Sequence, residues 1–125
     1  MNWKEYQPLA NKTATGGNFN MDPANSDHLD LAHGVVGIST EAGELLDQWK
    51  KHVFYGKGLD VQNVREEIGD LCWYIALVTK ALKLDFDEIL AGNIRKLEAR
   101  YGGKFSQEKA INRNVKQEMS AMDLV

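Results

Sequence analysis

Apolar residues recur along this chain at helical spacing, and nowhere does a period-two alternation compete with them. Trp3, Tyr6 and Ala10 fit one face of a short helix within residues 1–15, where Pro8 is tolerable only near the helix start or at a kink. Two clusters of turn formers follow, Gly16-Gly17-Asn18 and Asp22-Pro23-Ala24-Asn25-Ser26, and the loop between them is placed to close over a ligand. Ser26 is the expected N-cap of a long second helix whose apolar side carries Leu29, Ala32, Val36, Ile38, Ala42, Leu45, Trp49 and Val53. Gly34, Gly37 and Gly43 interrupt it. Interior glycine costs about 1 kcal/mol relative to alanine, so three of them imply close approach of another backbone or a ligand, or a kink near Gly34.

Tyr55-Gly56-Lys57-Gly58 ends that helix, with Gly56 or Gly58 suited to the left-handed conformation, and Asp60 caps the next. The third helix has the most regular stripe: Val64, Ile68, Leu71, Cys72, Ile75, Val78 and Leu82. Asp85 and Glu88 form a capping-box-like start for a fourth, carried by Phe86, Ile89, Ile94 and Leu97 to about Tyr101, where Gly102-Gly103 stops it. In the tail, Ile111, Val115 and Met119 make a thin amphipathic stripe that needs a neighbour to dock on. The pattern predicts an all-α fold: an antiparallel four-helix-bundle-like core over about residues 27–103, with short N-terminal and C-terminal helices. Residues 1–125 form one domain, with the 104–125 tail helix docking on a partner subunit.

Composition narrows the picture. With 125 residues, 43% hydrophobic and 26% charged, the chain suits one domain and is short for two. A net charge of −3 argues against a non-specific nucleic-acid binder, which needs a broad basic surface, but leaves room for a local basic cluster around a small anion. The single cysteine, Cys72, lies in an apolar helical run, which predicts a buried thiol and a reducing, cytoplasmic setting. The N-terminus lacks an apolar signal core, and no apolar run approaches the roughly 18 residues needed to span a bilayer, so no membrane partner is expected.

The chemistry concentrates between Glu41 and Asp70. Glu41-Ala-Gly-Glu44 and Glu67-Ile-Gly-Asp70 are acidic pairs at i and i+3, so each pair lies on one side of its helix, one turn apart. Glutamate is a good helix former, and one such pair on a solvated face would mean little. Here two pairs share a design, with glycine before the second acid. Glu41 and Glu67 each lie about 40° around the helix from a core-facing leucine, Leu45 or Leu71, at the edge of the apolar stripe. Antiparallel packing across the short connection would bring the four carboxylates together.

Like charges at that range oppose folding unless a cation neutralises them. An all-carboxylate donor set suits Mg²⁺ or Mn²⁺, hard ions that take oxygen ligands at roughly 2.0–2.1 Å in octahedral geometry. Zinc would want histidine or cysteine, and His28, His33 and His52 lack the needed spacing with Cys72. A di-iron bundle would want Glu-x-x-His, where this chain has Glu44 and Asp70 in the histidine positions.

The two acidic motifs, the run Glu66-Glu67-Ile68-Gly69-Asp70-Leu71-Cys72-Trp73-Tyr74 and the later run from Asn93 to Tyr101 together resemble the MazG-like nucleotide pyrophosphohydrolases, from about Leu31 to Ser106. The resemblance implies an all-α enzyme that binds Mg²⁺ through Glu41, Glu44, Glu67 and Asp70. It also implies splitting of nucleoside triphosphates into monophosphate and pyrophosphate, as a housecleaning or pool-balancing hydrolase, and homodimers or homotetramers with sites near the subunit interface. Glu41 or Glu44 is the candidate for orienting or deprotonating the attacking water. The role of Glu66 stays open.

A triphosphate also needs cations. Lys96 and Arg100 lie at i and i+4 with Asn93 one turn earlier, presenting an amide, an ammonium and a guanidinium on one side; Tyr101 adjoins them. Lys51, with Lys50 and Lys57, is a second basic candidate near the end of the second helix, and Arg113 would reach a site only from a partner subunit. Trp49, Phe54, Tyr55, Trp73 and Tyr74 gather around the same two helices. Most are read as packing, with Trp49 kept as a substrate-binding candidate. His33 is read as a structural or pocket residue, and the loop from Phe19 to Ser26 as a cover for the base. Two function classes follow: a Mg²⁺-dependent pyrophosphohydrolase, with dUTP, dCTP or phosphoribosyl-ATP as narrower substrates, or a non-catalytic helical assembly module.

Overall fold

The computed structural model describes residues 1–14, 16–17 and 20–122. Among these the chain is all-helical. The six helices are α1 (Trp3–Asn11), α2 (Ser26–Tyr55), α3 (Val61–Ala81), α4 (Phe86–Tyr101), α5 (Gln107–Ile111) and α6 (Val115–Met122). Their ends fall at side chains that satisfy orphan backbone groups. Asn25, one residue before the expected Ser26, caps α2 by accepting from the amides of Asp27 and His28. Asp60 accepts from Asn63 N at 3.0 Å, and Asp85 accepts from Asp87 N and Glu88 N. Gly56 and Gly102 close α2 and α4 in the left-handed conformation, with φ of 64° and 63°. Pro8 lies inside α1, past the first turn.

Helices α2 and α3 form an antiparallel hairpin along one continuous seam. Gly34 lies against Val78, Gly37 against Tyr74, and Glu41 beside Asp70; at the open end Lys80 Nζ bonds Asp30 Oδ2 at 3.0 Å. Two of the three expected close approaches are there: Gly34 and Gly37 are buried under Tyr74 and Val78. Gly43 has nothing within 4 Å of where a Cβ would stand, so in this chain it is not a packing glycine.

The second packing unit is α4 with α5 and α6. The tail is two helices, not one, because Asn112 ends α5 and Asn114 begins α6 by accepting from Gln117 N at 3.2 Å. It docks on α4 of its own chain through polar groups. Glu118, only 2% exposed, takes bonds from Arg100 (2.9 and 2.6 Å) and Arg113 (3.3 and 2.7 Å), while Arg95 donates to the carbonyls of Ala121 and Met122. Gly92 admits this approach, since a Cβ there would lie 3.3 Å from the Met122 carbonyl oxygen. The stripe read from sequence faces outward: Ile111, Val115 and Met119 are all exposed.

Arg100 foremost and then Arg113 hold the Glu118 carboxyl down to about 2, below its ordinary 4.5. A depressed acid contributes stability above its unfolded value and loses it as pH falls toward the folded one. Acidification from about pH 5 toward pH 2 is therefore expected to release α6, read as new protease cleavage between residues 104 and 122. Unchanged protection across that range would contradict the latch.

Ala81 is the sole buried apolar residue besides glycine among the described residues. The accessible surface is 10061 Å², against about 6,700 Å² for a folded monomer of this mass. Cys72, expected to be buried, is exposed, because among the described residues no other helix covers the side of α3 that carries it and Ile68. No described helix is long and apolar enough to cross a membrane.

Candidate metal centre

The α2·α3 seam sets the geometry of the site. Continuing past Gly34 and Gly37, the close contact brings Glu41 of α2 against Glu67 and Asp70 of α3, so that one carboxylate oxygen from each lies within 4.8 Å of the others. Glu67 is 5% exposed, Glu41 half-buried and Asp70 exposed. Glu44, one turn further along α2, is exposed and stands outside this group of three.

Loss of hydration raises the Glu41 pKa above its ordinary value; the charge of Glu44, the adjoining Glu67 carboxyl and the charge of Asp70 push the same way, and the hydroxyl of Thr40 opposes them. The nearly buried Glu67 has no cationic partner among the described residues. Its support is an amide: Asn63 Nδ2 donates to Glu67 Oε1 at 3.0 Å. Such a donor set fits a hard divalent cation, which neutralises crowded carboxylates and takes oxygen ligands.

Beside the acids opens a cavity of about 320 Å³ lined by Glu41, Asp70, Trp73 and Tyr74. Trp73 is 56% exposed there, and His33 sits edge-on to both rings at 6.0 and 5.4 Å. Carboxylates at one side and an aromatic face at the other suit a ligand that is charged at one end and flat at the other.

A protein-family model for the MazG nucleotide pyrophosphohydrolase domain matches residues 33–105, which hold every group just described. The chain belongs to the MazG family. Among curated relatives, the gene 37 protein of Mycobacterium phage L5 is 29% identical over 87 residues, covering 66% of this chain and 76% of its own. No solved structure gives a significant match.

The remaining candidates within this MazG domain lie elsewhere. Asn93 and Lys96 line a hollow of about 240 Å³ with Glu88, Ile89, Gly92 and Met122, none of them an acid of the cluster. Arg100, read as a free phosphate ligand, is engaged by Glu118, with its guanidinium 5.5 Å from the Tyr101 ring; Tyr101 in turn packs against Phe105. Lys51 and Lys50 both pair with Asp47 at 2.6 Å and hold its carboxyl down to about 2. Trp49 is exposed beside His52. Arg113 pairs within its own chain.

Of the loop expected to cover the base, Phe19 lies outside the described residues. Asn20 and Met21 line a hollow with His28, Leu31, Ala32 and Val35, where Asp22 N donates to His28 Nδ1 at 2.9 Å. The sequence reading missed Asn63 and treated Trp73 as packing. The signal for Asn63 was present, since it precedes Glu67 by four residues on the same helix.

Proposed function

We propose that this MazG chain is a Mg²⁺-dependent nucleoside triphosphate pyrophosphohydrolase, releasing the monophosphate and pyrophosphate. One observation carries the reading: three carboxylates, one nearly buried and without a cationic partner among the described residues, converge within 4.8 Å at the seam inside the family-matched segment. Glu41, Glu67 and Asp70 would hold the cation, with Glu44 close enough to add its charge. Mg²⁺ or Mn²⁺ there supplies charge neutralisation and Lewis acidity for a polyphosphate.

The chain's own groups do the rest. Glu41 or Glu44 orients the attacking water and takes its proton. Trp73 offers its exposed face to the base, and Tyr74 and His33 back it. Asn93, Lys96, Arg100, Tyr101, Trp49 and Lys51 stand outside the cavity beside the acids, and would serve a triphosphate bound there only from a partner subunit. A panel of ribo- and deoxyribonucleoside triphosphates, with dUTP, dCTP and phosphoribosyl-ATP included, assayed for pyrophosphate with and without Mg²⁺, tests the reading. Turnover of none of them would favour a non-catalytic assembly module.

The working unit is a homodimer or homotetramer in the cytoplasm. The chain exposes about 3,300 Å² more than a folded monomer of its mass would, more than the roughly 2,500 Å² that even a large obligate dimer interface removes from each partner. Light scattering at micromolar concentration is expected to give at least two chains' mass. A particle of 14.1 kDa would contradict it.

A further inference from the structure

We propose that Asn63 is a positioning residue that fixes the Glu67 carboxylate for divalent-cation binding; this rests on reading the three-acid cluster as a metal centre. Asn63 occupies the first turn of α3, where its backbone amide is pinned by Asp60 Oδ1 at 3.0 Å. One turn on, its side-chain Nδ2 donates to Glu67 Oε1 at 3.0 Å in a partly buried setting. The cap thus holds the residue that holds the carboxylate. Tying one oxygen of Glu67 restricts rotation of the carboxylate and leaves the other oxygen available to a cation shared with Glu41 and Asp70.

The other end of the same amide shows what the arrangement sacrifices. Asn63 Oδ1 is buried and has no hydrogen-bond partner, the sole side-chain atom in that condition among the described residues. A buried acceptor without a donor is unfavourable for folding, and leucine, with the same count and branching of side-chain heavy atoms but no polar group, would avoid it. Turning the amide over would place Oδ1 against the Glu67 carboxylate, so the donor to that carboxylate requires the orphan. A residue that weakens the fold while ordering one oxygen of the three-acid cluster serves the site before the scaffold.

Calorimetric titration of Mg²⁺ into the full-length wild type, N63A and N63L, with far-UV circular dichroism and metal-free melting on each, tests this. Both variants are expected to bind Mg²⁺ roughly 10- to 100-fold more weakly, the usual consequence of losing a ligand's outer hydrogen bond. Metal-free N63L should melt no lower than wild type, and kcat should largely recover at saturating Mg²⁺. Variants that bind as tightly as wild type overturn the positioning role alone. Loss of the helical signal in both variants assigns Asn63 to the fold and also overturns it. A wild type that binds no Mg²⁺ overturns the metal reading and this proposal with it.

Discussion

Glu67→Gln is expected to lower Mg²⁺-dependent turnover by at least about 10²-fold while leaving the helical content unchanged, because it removes one unit of charge from the cation site without altering side-chain shape. Glu67 is the member of the cluster that the fold invests in most. It is 5% exposed, carries no ion pair among the described residues, and faces Glu41 and Asp70 within 4.8 Å. Buried like charges oppose folding when nothing neutralises them, so the same substitution should leave the metal-free protein as stable as wild type or more so. Activity and stability then move in opposite directions, as they do where a site stores strain for function. Steady-state kinetics and metal-free thermal melts on one preparation check both. Wild-type turnover in the variant would remove Glu67 from the mechanism.

Gly37→Ala should open the seam that builds the site. A Cβ at Gly37 would overlap the Tyr74 ring, and one at Gly34 would lie 2.6 Å from Val78 Cγ2 and 3.1 Å from the Tyr74 carbonyl oxygen, which belongs to the backbone of α3 and cannot rotate away. Alanine gains about 1 kcal/mol of helix propensity over glycine, while overpacking a close contact costs about 1–3 kcal/mol, so the net effect is destabilising unless α3 moves out. If α3 moves, Glu67 and Asp70 move with it, and Mg²⁺ affinity falls along with the melting temperature. Gly43→Ala supplies the control: nothing lies within 4 Å of its Cβ position, and the propensity gain should stand alone. Equal melting temperatures for the Gly37 and Gly43 variants would contradict the close-packed seam.

Local chemistry was legible wherever neighbouring residues decide it. Asp60, Asp85, Gly56 and Gly102 end or begin helices where their own side chains or backbone freedom act, and the period of α3 fixes that helix regardless of context. The acidic pairs were readable for the same reason. Helical geometry places Glu41 and Glu67 at the edges of apolar stripes, and a short antiparallel connection brings those edges together.

Tertiary partners were less legible. Arg100 reads as a free cation on α4, and only the docking of α6 shows that Glu118, eighteen residues later, takes it. Cys72 reads as buried because an apolar stripe normally finds cover within its own chain, whereas among the described residues Cys72 and Ile68 stay exposed. Glu44 shares the spacing of Asp70, yet stands outside the group because the seam buries α3 at Glu67 and leaves that turn of α2 exposed.

The most direct test of the central claim is product analysis of one nucleoside triphosphate turned over by the wild type in Mg²⁺. Nucleoside monophosphate and pyrophosphate should appear in equal amounts, vanish with chelator, and fall at least about 10²-fold in E67Q. Orthophosphate with the diphosphate, or turnover indifferent to both chelator and Glu67, would contradict the account.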